Sequence, residues 1–194
     1  MRLFAAVRPP DVVLDHVDMA LNSVRGGVAD PRSGVRWTAA DARHVTLAFY
    51  GEVPQGYVEE LSVALDGIAQ ATAPFDASLR GAGLFDGRTL WIGCSGVGWG
   101  PLMSAATQVG TGLLGRAEDR RSRAHLTVAR MGGRRGRHSG GTDPAAYAHA
   151  LALYTGPSWT VGEIVLVCST LGAGVGGSPA HDIVHRSELQ AVAR

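Results

Sequence analysis

The sequence predicts an α+β fold of two pseudo-symmetric lobes, each a mainly antiparallel sheet with helices packed outside it, around a central cleft. Predicted strands and helices interleave, but many neighbouring strands lack the intervening helix that parallel pairing requires. A short segment at 43–51 is repeated at 124–132, which indicates a duplicated lobe. The 194 residues, 45% of them hydrophobic, suffice for one such unit, so we expect a single two-lobed domain over residues 1–194.

Hydrophobic periodicity and chain-breaking residues place the elements of the first half. The first helix is predicted from the apolar stripe Val13, Val17, Leu21 and Val24, whose members recur four and three positions apart. The predicted elements are, in order, a strand at 2–8 ended by Pro9-Pro10, a helix from Asp11 to Gly26-Gly27, strands at 35–38 and 43–50, and a helix opened by Pro54 that buries Tyr57, Leu61, Leu65 and Ile68.

The second half of the chain alternates strands and helices in a similar way. The predicted elements are strands near 75–80 and 89–95 joined by a turn at 81–87, a helix at 101–114 ended by Gly115, a strand at 124–130, a glycine- and arginine-rich loop at 131–143, a helix from Pro144 to about Tyr154, a strand at 160–169, and a last strand near 183–189 after a glycine-rich turn.

Composition excludes several classes of protein. The sequence has no run of about 18 apolar residues, so no membrane-spanning helix is predicted. The apolar run near the N-terminus is too short for a secretory signal. Cys94 and Cys168 are too few for a disulfide framework or a four-cysteine zinc site. We therefore expect a cytoplasmic protein with two buried, reduced thiols.

Charge is distributed unevenly along the chain. The net charge is only +1, but all 18 basic residues are arginine, the side chain best suited to bidentate phosphate binding. The stretch 116–137 predicts either a phosphate-binding region or a solvated loop, because its only acidic residues are Glu118 and Asp119. Its eight arginines are at positions 116, 120, 121, 123, 130, 134, 135 and 137.

The repeated segments both read His-apolar-Thr-apolar-Ala, with a glycine seven residues after the histidine. Side chains alternate between the two faces of a strand, so His44 shares a face with Thr46, and His125 shares a face with Thr127. If the two strands pair about a pseudo-twofold axis, two imidazoles and two hydroxyls surround one cleft. A single His-x-Thr is typical of a structural histidine, whereas two matched copies favour a functional site.

Two histidines that face each other suit acid-base chemistry near neutral pH, because one can take a proton while the other gives one. In-line displacement at a phosphodiester needs a base and an acid on opposite sides of the phosphorus. The threonine hydroxyls can donate hydrogen bonds to its non-bridging oxygens. This chemistry needs no metal. A zinc site would need a third ligand, and no metal-site spacing surrounds either motif.

The twin motifs His44-x-Thr46 and His125-x-Thr127 resemble those of the 2H phosphoesterase superfamily, and within it the RNA 2′,3′-cyclic phosphodiesterases, also called 2′-5′ RNA ligases. Two departures are that Ala124 replaces a common proline, and that 176–181 lacks an aromatic residue of the base pocket. Supporting matches are the first strand Met1–Val7, Val35-Arg36-Trp37, Leu47–Glu52, Leu84-Phe85, Leu90–Gly93, Arg130 after the second motif, and Ile164–Leu171.

The resemblance implies an enzyme that hydrolyses RNA 2′,3′-cyclic phosphate ends to 2′-phosphates without a cofactor or metal, and that can run reversibly toward 2′-5′ ligation. It implies that His44 is the general acid and His125 the general base, and that Thr46, Thr127 and Arg130 hold the phosphate. Two alternatives stay open. One is a relative that acts on another small cyclic phosphate or a 2′-5′-linked oligonucleotide; the other is a module that binds RNA ends or nucleotides without turnover.

Other residues are weaker candidates. We expect arginines near the motifs to contact RNA phosphates, and Trp37 or Phe49 to stack on a base. Trp91 is predicted to be a core residue. The five histidines outside the motifs, His16, His138, His149, His181 and His185, are predicted to be surface or structural. The candidate phosphate contacts are Arg36, Arg43, Arg120, Arg121 and Arg123. The predicted partner is an RNA end or oligonucleotide that bears a 2′,3′-cyclic phosphate, bound by a monomer.

Overall fold

A computed structural model describes residues 1–25, 34–115, 123–131, 143–174 and 177–190. Within these ranges the chain forms nine strands and four α-helices. They are β1 (Arg2–Val7), α1 (Asp11–Val24), β2 (Val35–Trp37), β3 (Val45–Glu52), α2 (Val58–Gln70), β4 (Phe75–Phe85), β5 (Thr89–Ser95), α3 (Trp99–Leu114), β6 (His125–Met131), α4 (Pro144–Ala150), β7 (Thr155–Val161), β8 (Glu163–Thr170) and β9 (Ala180–Glu188).

All of the strands join one curled antiparallel sheet, which confirms the α+β prediction. The strand order is β7-β4-β5-β6-β3-β1-β8-β9, and β2 pairs with β6 beside β3. The lobe of β1, β3, β8 and β9 meets the lobe of β2, β4, β5, β6 and β7 where β3 contacts β6. The β3–β6 ladder holds only the pair Val45–Leu126, because β2 takes the next positions along β6. The two lobes therefore separate beyond this pair.

The core lies between the sheet and its helices. Leu47, Leu126 and Val128 are buried on the helix side of the central strands, and Leu61 and Leu102 meet them from α2 and α3. Burial of each such side chain contributes about 1.5–3 kcal/mol to folding. The opposite face carries a second, smaller apolar cluster of Phe4, Ala6, Val165 and Val167, with Phe49 at its margin.

Several boundaries differ from the sequence prediction. The single strand expected at 160–169 is two strands that turn at Gly162, and β7 pairs with β4 while β8 pairs with β1. The expected helix to Tyr154 ends at Ala150, because the chain then enters β7. In β4 the strand continues through Gly81, whose φ of +63° accommodates a bulge instead of the predicted turn. No helix within the described ranges has the length and apolarity that a membrane crossing requires.

The central strands carry matched bulges. In the β1–β3 ladder, Ala5 pairs with Ala48 and Ala6 pairs with Thr46. Leu47 of β3 therefore has no partner in β1 and forms a bulge. In the β5–β6 ladder, Leu90 pairs with Ala129 and Trp91 pairs with Thr127. Val128 of β6 therefore has no partner in β5 and forms a bulge. Each bulge reverses the alternation of faces in the residues that follow it. Phe49 and Arg130 therefore turn away from the helix side, whereas strict alternation would point them into the core.

Candidate active site

The contact between β3 and β6 brings the two repeated motifs together. Val45 and Leu126 lie opposite each other and are fully buried on the helix side. The neighbouring positions turn to the other face of the sheet. They are His44 and Thr46 beside Val45, and His125 and Thr127 beside Leu126, so the two motifs flank this one pair.

Both histidines are fixed in the same way by the backbone. The Nδ1–H of His44 donates to the carbonyl oxygen of Ala42 at 3.0 Å. The Nδ1–H of His125 donates to the carbonyl oxygen of Arg123 at 2.7 Å. In each case the acceptor lies two residues before the histidine. A neutral ring with its proton on Nδ1 presents Nε2 as a free acceptor, which is the form that a general base needs.

An aromatic neighbour supports each imidazole. Phe4 of β1 stacks on His44 with ring centroids 4.6 Å apart. Phe85, at the end of β4, meets His125 edge-on at 4.9 Å and stacks on Trp91 of β5. These contacts restrict the rotation of both imidazole rings, so the pseudo-symmetry of the motifs extends to their surroundings.

The pKa values of His44 and His125 are both lowered, and by related causes. The pKa of His44 is lowered to about 4, first by burial and then by the charge of His181. Arg130 and His125 lower it further, while the hydrogen bond to Ala42 opposes the change. The pKa of His125 is also lowered, by burial and then by Arg130, against the hydrogen bond to the Arg123 carbonyl. Such effects weaken with distance, so Arg130 lies near enough to both imidazoles to act on their charge.

The cleft offers donors to an anion. Thr46 and Thr127 are half-buried, and no hydrogen bond of either hydroxyl is found within the described part of the chain. Arg130 is exposed after the β6 bulge and makes no ion pair with any residue in the described ranges. Two hydroxyls and a guanidinium near the histidines therefore have donors free for an anion.

Two other candidates lie on the cleft side of the sheet. Arg36 of β2 is exposed and lies opposite Arg130 in the ladder, on the face away from buried Ala129. Like charges in directly opposite positions are unfavourable unless an anion lies between them. Phe49 borders the smaller apolar cluster, and the Arg2 guanidinium lies 4.8 Å from its ring centroid.

Two candidates have structural partners instead. Arg43 is 2% exposed, and its guanidinium donates to Asp18 at 2.7 Å and to the Thr38 carbonyl at 3.0 Å. The prediction that it contacts RNA is wrong, because the side chain is enclosed between α1 and β3. Trp37 packs against the core, with Arg25 over one ring face at 4.3 Å and Tyr147 edge-on. The side chain is half-buried, and the stacking of a base on Trp37 stays a prediction.

The remaining arginine candidates divide between two regions. Arg123 is exposed, and its guanidinium lies 6.0 Å from the Trp91 ring, beside the His125 end of the cleft. Arg120 and Arg121 lie outside the described residues, as does most of the loop predicted at 131–143.

Two aromatic side chains of the site were missed or misplaced by sequence reasoning. Trp91 belongs to the cleft face and not to the core, because Leu90 and Ile92 on either side take the buried positions. Phe4 lies on the face opposite Leu3 and Ala5, and that alternation in the first strand was the available signal.

The third missed residue is His181, which lies on β9 and not in a loop. Its ring meets His44 edge-on at 5.1 Å and Phe4 edge-on at 5.3 Å. No motif surrounds it, and the glycine-rich turn before it hides the start of β9, so no sequence signal pointed to it. Among the described residues, no group of three or more histidine, cysteine or acidic side chains is arranged to hold a metal ion.

Sequence comparisons identify similar proteins. A family model described as LigT-like phosphoesterase matches residues 13–91, a range that contains the first motif. An RNA 2′,3′-cyclic phosphodiesterase of Archaeoglobus fulgidus is 32% identical over 136 residues, which are 68% of this chain and 73% of that protein. An RNA 2′,3′-cyclic phosphodiesterase of Methanothermobacter thermautotrophicus is 26% identical over 141 residues, or 71% of this chain and 74% of that protein.

Comparison of structures supports the fold. A crystal structure of a Thermus thermophilus protein superposes with a TM-score of 0.77 at 24% identity and covers 100% of both chains. Escherichia coli LigT in its apo form superposes with a TM-score of 0.71 at 23% identity over 98% of both chains. At these identities the likeness concerns the architecture of the sheet and helices.

Proposed function

The chain belongs to the family of LigT-like phosphoesterases and RNA 2′,3′-cyclic phosphodiesterases, and we propose that it hydrolyses the 2′,3′-cyclic phosphate ends of RNA to 2′-phosphates by paired-histidine catalysis. The observation that supports the proposal is that the pair Val45–Leu126 joins the two strands next to His44 and His125. Acid-base catalysis by two imidazoles needs neither a metal nor a cofactor. We also keep the prediction of a cytoplasmic monomer.

The proposed reaction is an in-line displacement. His125 takes a proton from water through Nε2, and the water oxygen forms a bond to phosphorus. The bond between phosphorus and the 3′ oxygen breaks on the opposite side, and His44 gives that oxygen a proton through its own Nε2. The products are a 2′-phosphate and a 3′ hydroxyl. When a ribose or 5′ hydroxyl replaces water, the same two groups catalyse ligation or its reversal.

The low pKa of His44 bears on its role as acid. In the free protein the pKa of His44, lowered to about 4 mainly by burial, leaves its ring neutral at pH 7. A phosphodiester anion in the cleft favours the charged imidazolium and so raises the pKa of His44. We therefore propose that His44 acquires its proton together with substrate. Thr46, Thr127 and Arg130 stabilise the charge that develops on the non-bridging oxygens.

The RNA strand that precedes the cyclic end has candidate contacts on the same face. Arg36 lies opposite Arg130, so a phosphate near one guanidinium is within the field of the other. Phe49 and the aromatic pair Phe85 and Trp91 border the two sides of the cleft. We propose that Arg36 and Arg123 bind backbone phosphates and that Phe49 supports a base.

The direct test is ³¹P NMR of an oligonucleotide with a 2′,3′-cyclic phosphate end, incubated with the protein and EDTA. We expect the cyclic signal to be replaced by a 2′-phosphate monoester. His44→Ala and His125→Ala should each lower turnover by at least about 100-fold, since an acid-base group contributes about 10²–10⁴. His149→Ala, on the exposed side of α4, is the matched control and should keep wild-type turnover.

Three results would contradict parts of this proposal. Binding of the oligonucleotide without turnover would indicate a binding module. Turnover that EDTA abolishes would contradict metal-independent chemistry. Near-normal turnover of either histidine variant, with the fold intact by circular dichroism, would reject the paired-histidine mechanism. A panel of other small cyclic phosphates and 2′-5′-linked oligonucleotides tests whether the RNA end is the preferred substrate.

A further inference from the structure

The candidate site contains a third imidazole that the proposed mechanism does not use. His181 lies opposite Ser169 in the β8–β9 ladder. Its ring contacts His44 and Phe4 edge-on, with interplanar angles of 74° and 76°. Its Nδ1 is buried and has no hydrogen-bond partner within the described ranges. The ring is therefore held by its aromatic neighbours and not by a hydrogen bond at Nδ1.

His44 is enclosed on three sides by this arrangement. Phe4 covers one face of its ring, Ala42 holds Nδ1, and His181 approaches with an edge. The edge contact restricts the tilt of the His44 ring, which sets the direction in which its Nε2 points. His181 therefore occupies the position from which it can both orient His44 and act on its charge.

Charged groups reach these two rings from several elements. His44 experiences the charge of His181 from β9, and those of His125 and Arg130 from β6. His181 experiences Asp41, from the turn before β3, and Asp182, its neighbour on β9. Burial lowers the pKa of His181, whereas the two carboxylates favour its charged form. A proton on His181 therefore opposes a proton on His44.

We propose that His181 is a positioning residue of the active site, which orients the ring of His44 and, when it is itself charged, opposes a proton on that ring. This inference rests on the proposed function for its role in turnover. An anion between the imidazoles offsets the repulsion between the two charged rings and so favours a proton on His44. His181 thereby acts through His44 and not as a catalytic residue.

The test is an NMR titration of the His44 imidazole in the free protein, with isotope-labelled histidine. In His181→Asn we expect the titration midpoint of His44 to move to higher pH by at least about 0.5, because a like charge is removed. His181→Phe keeps a ring at this position but removes the charge, so the titration midpoint of His44 should again move to higher pH. The move should be smaller than in His181→Asn, because an apolar phenyl ring disfavours the charged imidazolium. Inorganic phosphate should raise the wild-type midpoint more than that of His181→Asn.

Controls separate this role from simple packing. His185→Asn alters the same strand, but His185 contacts Asp66 of α2 at 2.8 Å, so it should leave the His44 titration unchanged. A wild-type His44 midpoint in both His181 variants would overturn the inference, as would an equal shift in His185→Asn. The titration does not depend on turnover. A wild-type protein that fails to hydrolyse the cyclic end would reject the proposed function and leave this result intact.

Discussion

The pH dependence of turnover follows from the protonation of the two histidines. In the proposed mechanism, the productive form has a protonated His44 and a neutral His125. The pKa of His44 is about 4 in the free protein, and that of His125 lies below its ordinary value of 6.5. The ring of His44 is therefore neutral in the free protein at pH 7. The profile of kcat/KM, which reports the free enzyme, is then bell-shaped with its maximum on the acid side of neutral.

The size of the effect can be worked out from these values. Above the pKa of His125, kcat/KM should fall about tenfold for each unit of pH, which is about 30-fold between pH 6.5 and 8. Bound phosphate raises the pKa of both imidazoles by its negative charge. The profile of kcat, which reports the complex, should therefore lie at higher pH than the profile of kcat/KM.

The assay is the initial rate of hydrolysis of a 2′,3′-cyclic mononucleotide from pH 4 to 9 at constant ionic strength. The substrate phosphodiester does not titrate in this range, so both limbs report the protein. A kcat/KM that is constant from pH 6 to 8 would refute the assignment, because it would mean that neither histidine has to change its protonation state. A kcat/KM that rises with pH would show that a base alone is needed.

Two further substitutions test the cleft and its walls. Arg36→Gln should raise KM for a cyclic-ended oligonucleotide and reduce its dependence on log salt by about 0.7, with a smaller change for the mononucleotide. Arg186→Gln is the control: its side chain pairs with Glu163, and it should affect neither substrate. An equal change for both substrates would contradict a contact upstream of the cyclic end. Gly83→Ala would place a Cβ 2.3 Å from the Trp91 ring, so we expect a loss of about 1–3 kcal/mol in urea unfolding and lower turnover through displacement of the wall beside His125. Gly67→Ala, with open space at its Cβ, is the control and should not lose stability, and equal behaviour of the two alanine variants would contradict the packing argument.

The sequence predicted the motifs well because their pattern depends on local geometry. The two-residue alternation in His44-x-Thr46 and His125-x-Thr127 holds up to the bulge in each strand. Strict alternation would have pointed Phe49 and Arg130 into the core, and the bulges at Leu47 and Val128 reverse this. A bulge depends on how a strand pairs with its neighbours, which a single sequence does not record.

Other features depended on contacts between distant parts of the chain. The sequence around Gly162 is typical of a single strand. The chain breaks there into β7 and β8 because β7 pairs with β4, which is distant in the sequence. Arg43 seemed available to RNA because its partner Asp18 lies on α1, far away in the sequence. His181 reaches His44 because β9 folds back along β8, next to β1.

The proposed mechanism requires two imidazoles to act on one phosphorus atom. A crystal structure of the protein with the product, a nucleoside 2′-phosphate, tests it most directly. We expect Nε2 of His44 and Nε2 of His125 each to lie about 2.7–3.2 Å from an oxygen on the same phosphorus, with the hydroxyls of Thr46 and Thr127 on other oxygens. A phosphate that contacts only one of the two histidines, or that binds outside the cleft, would contradict the account.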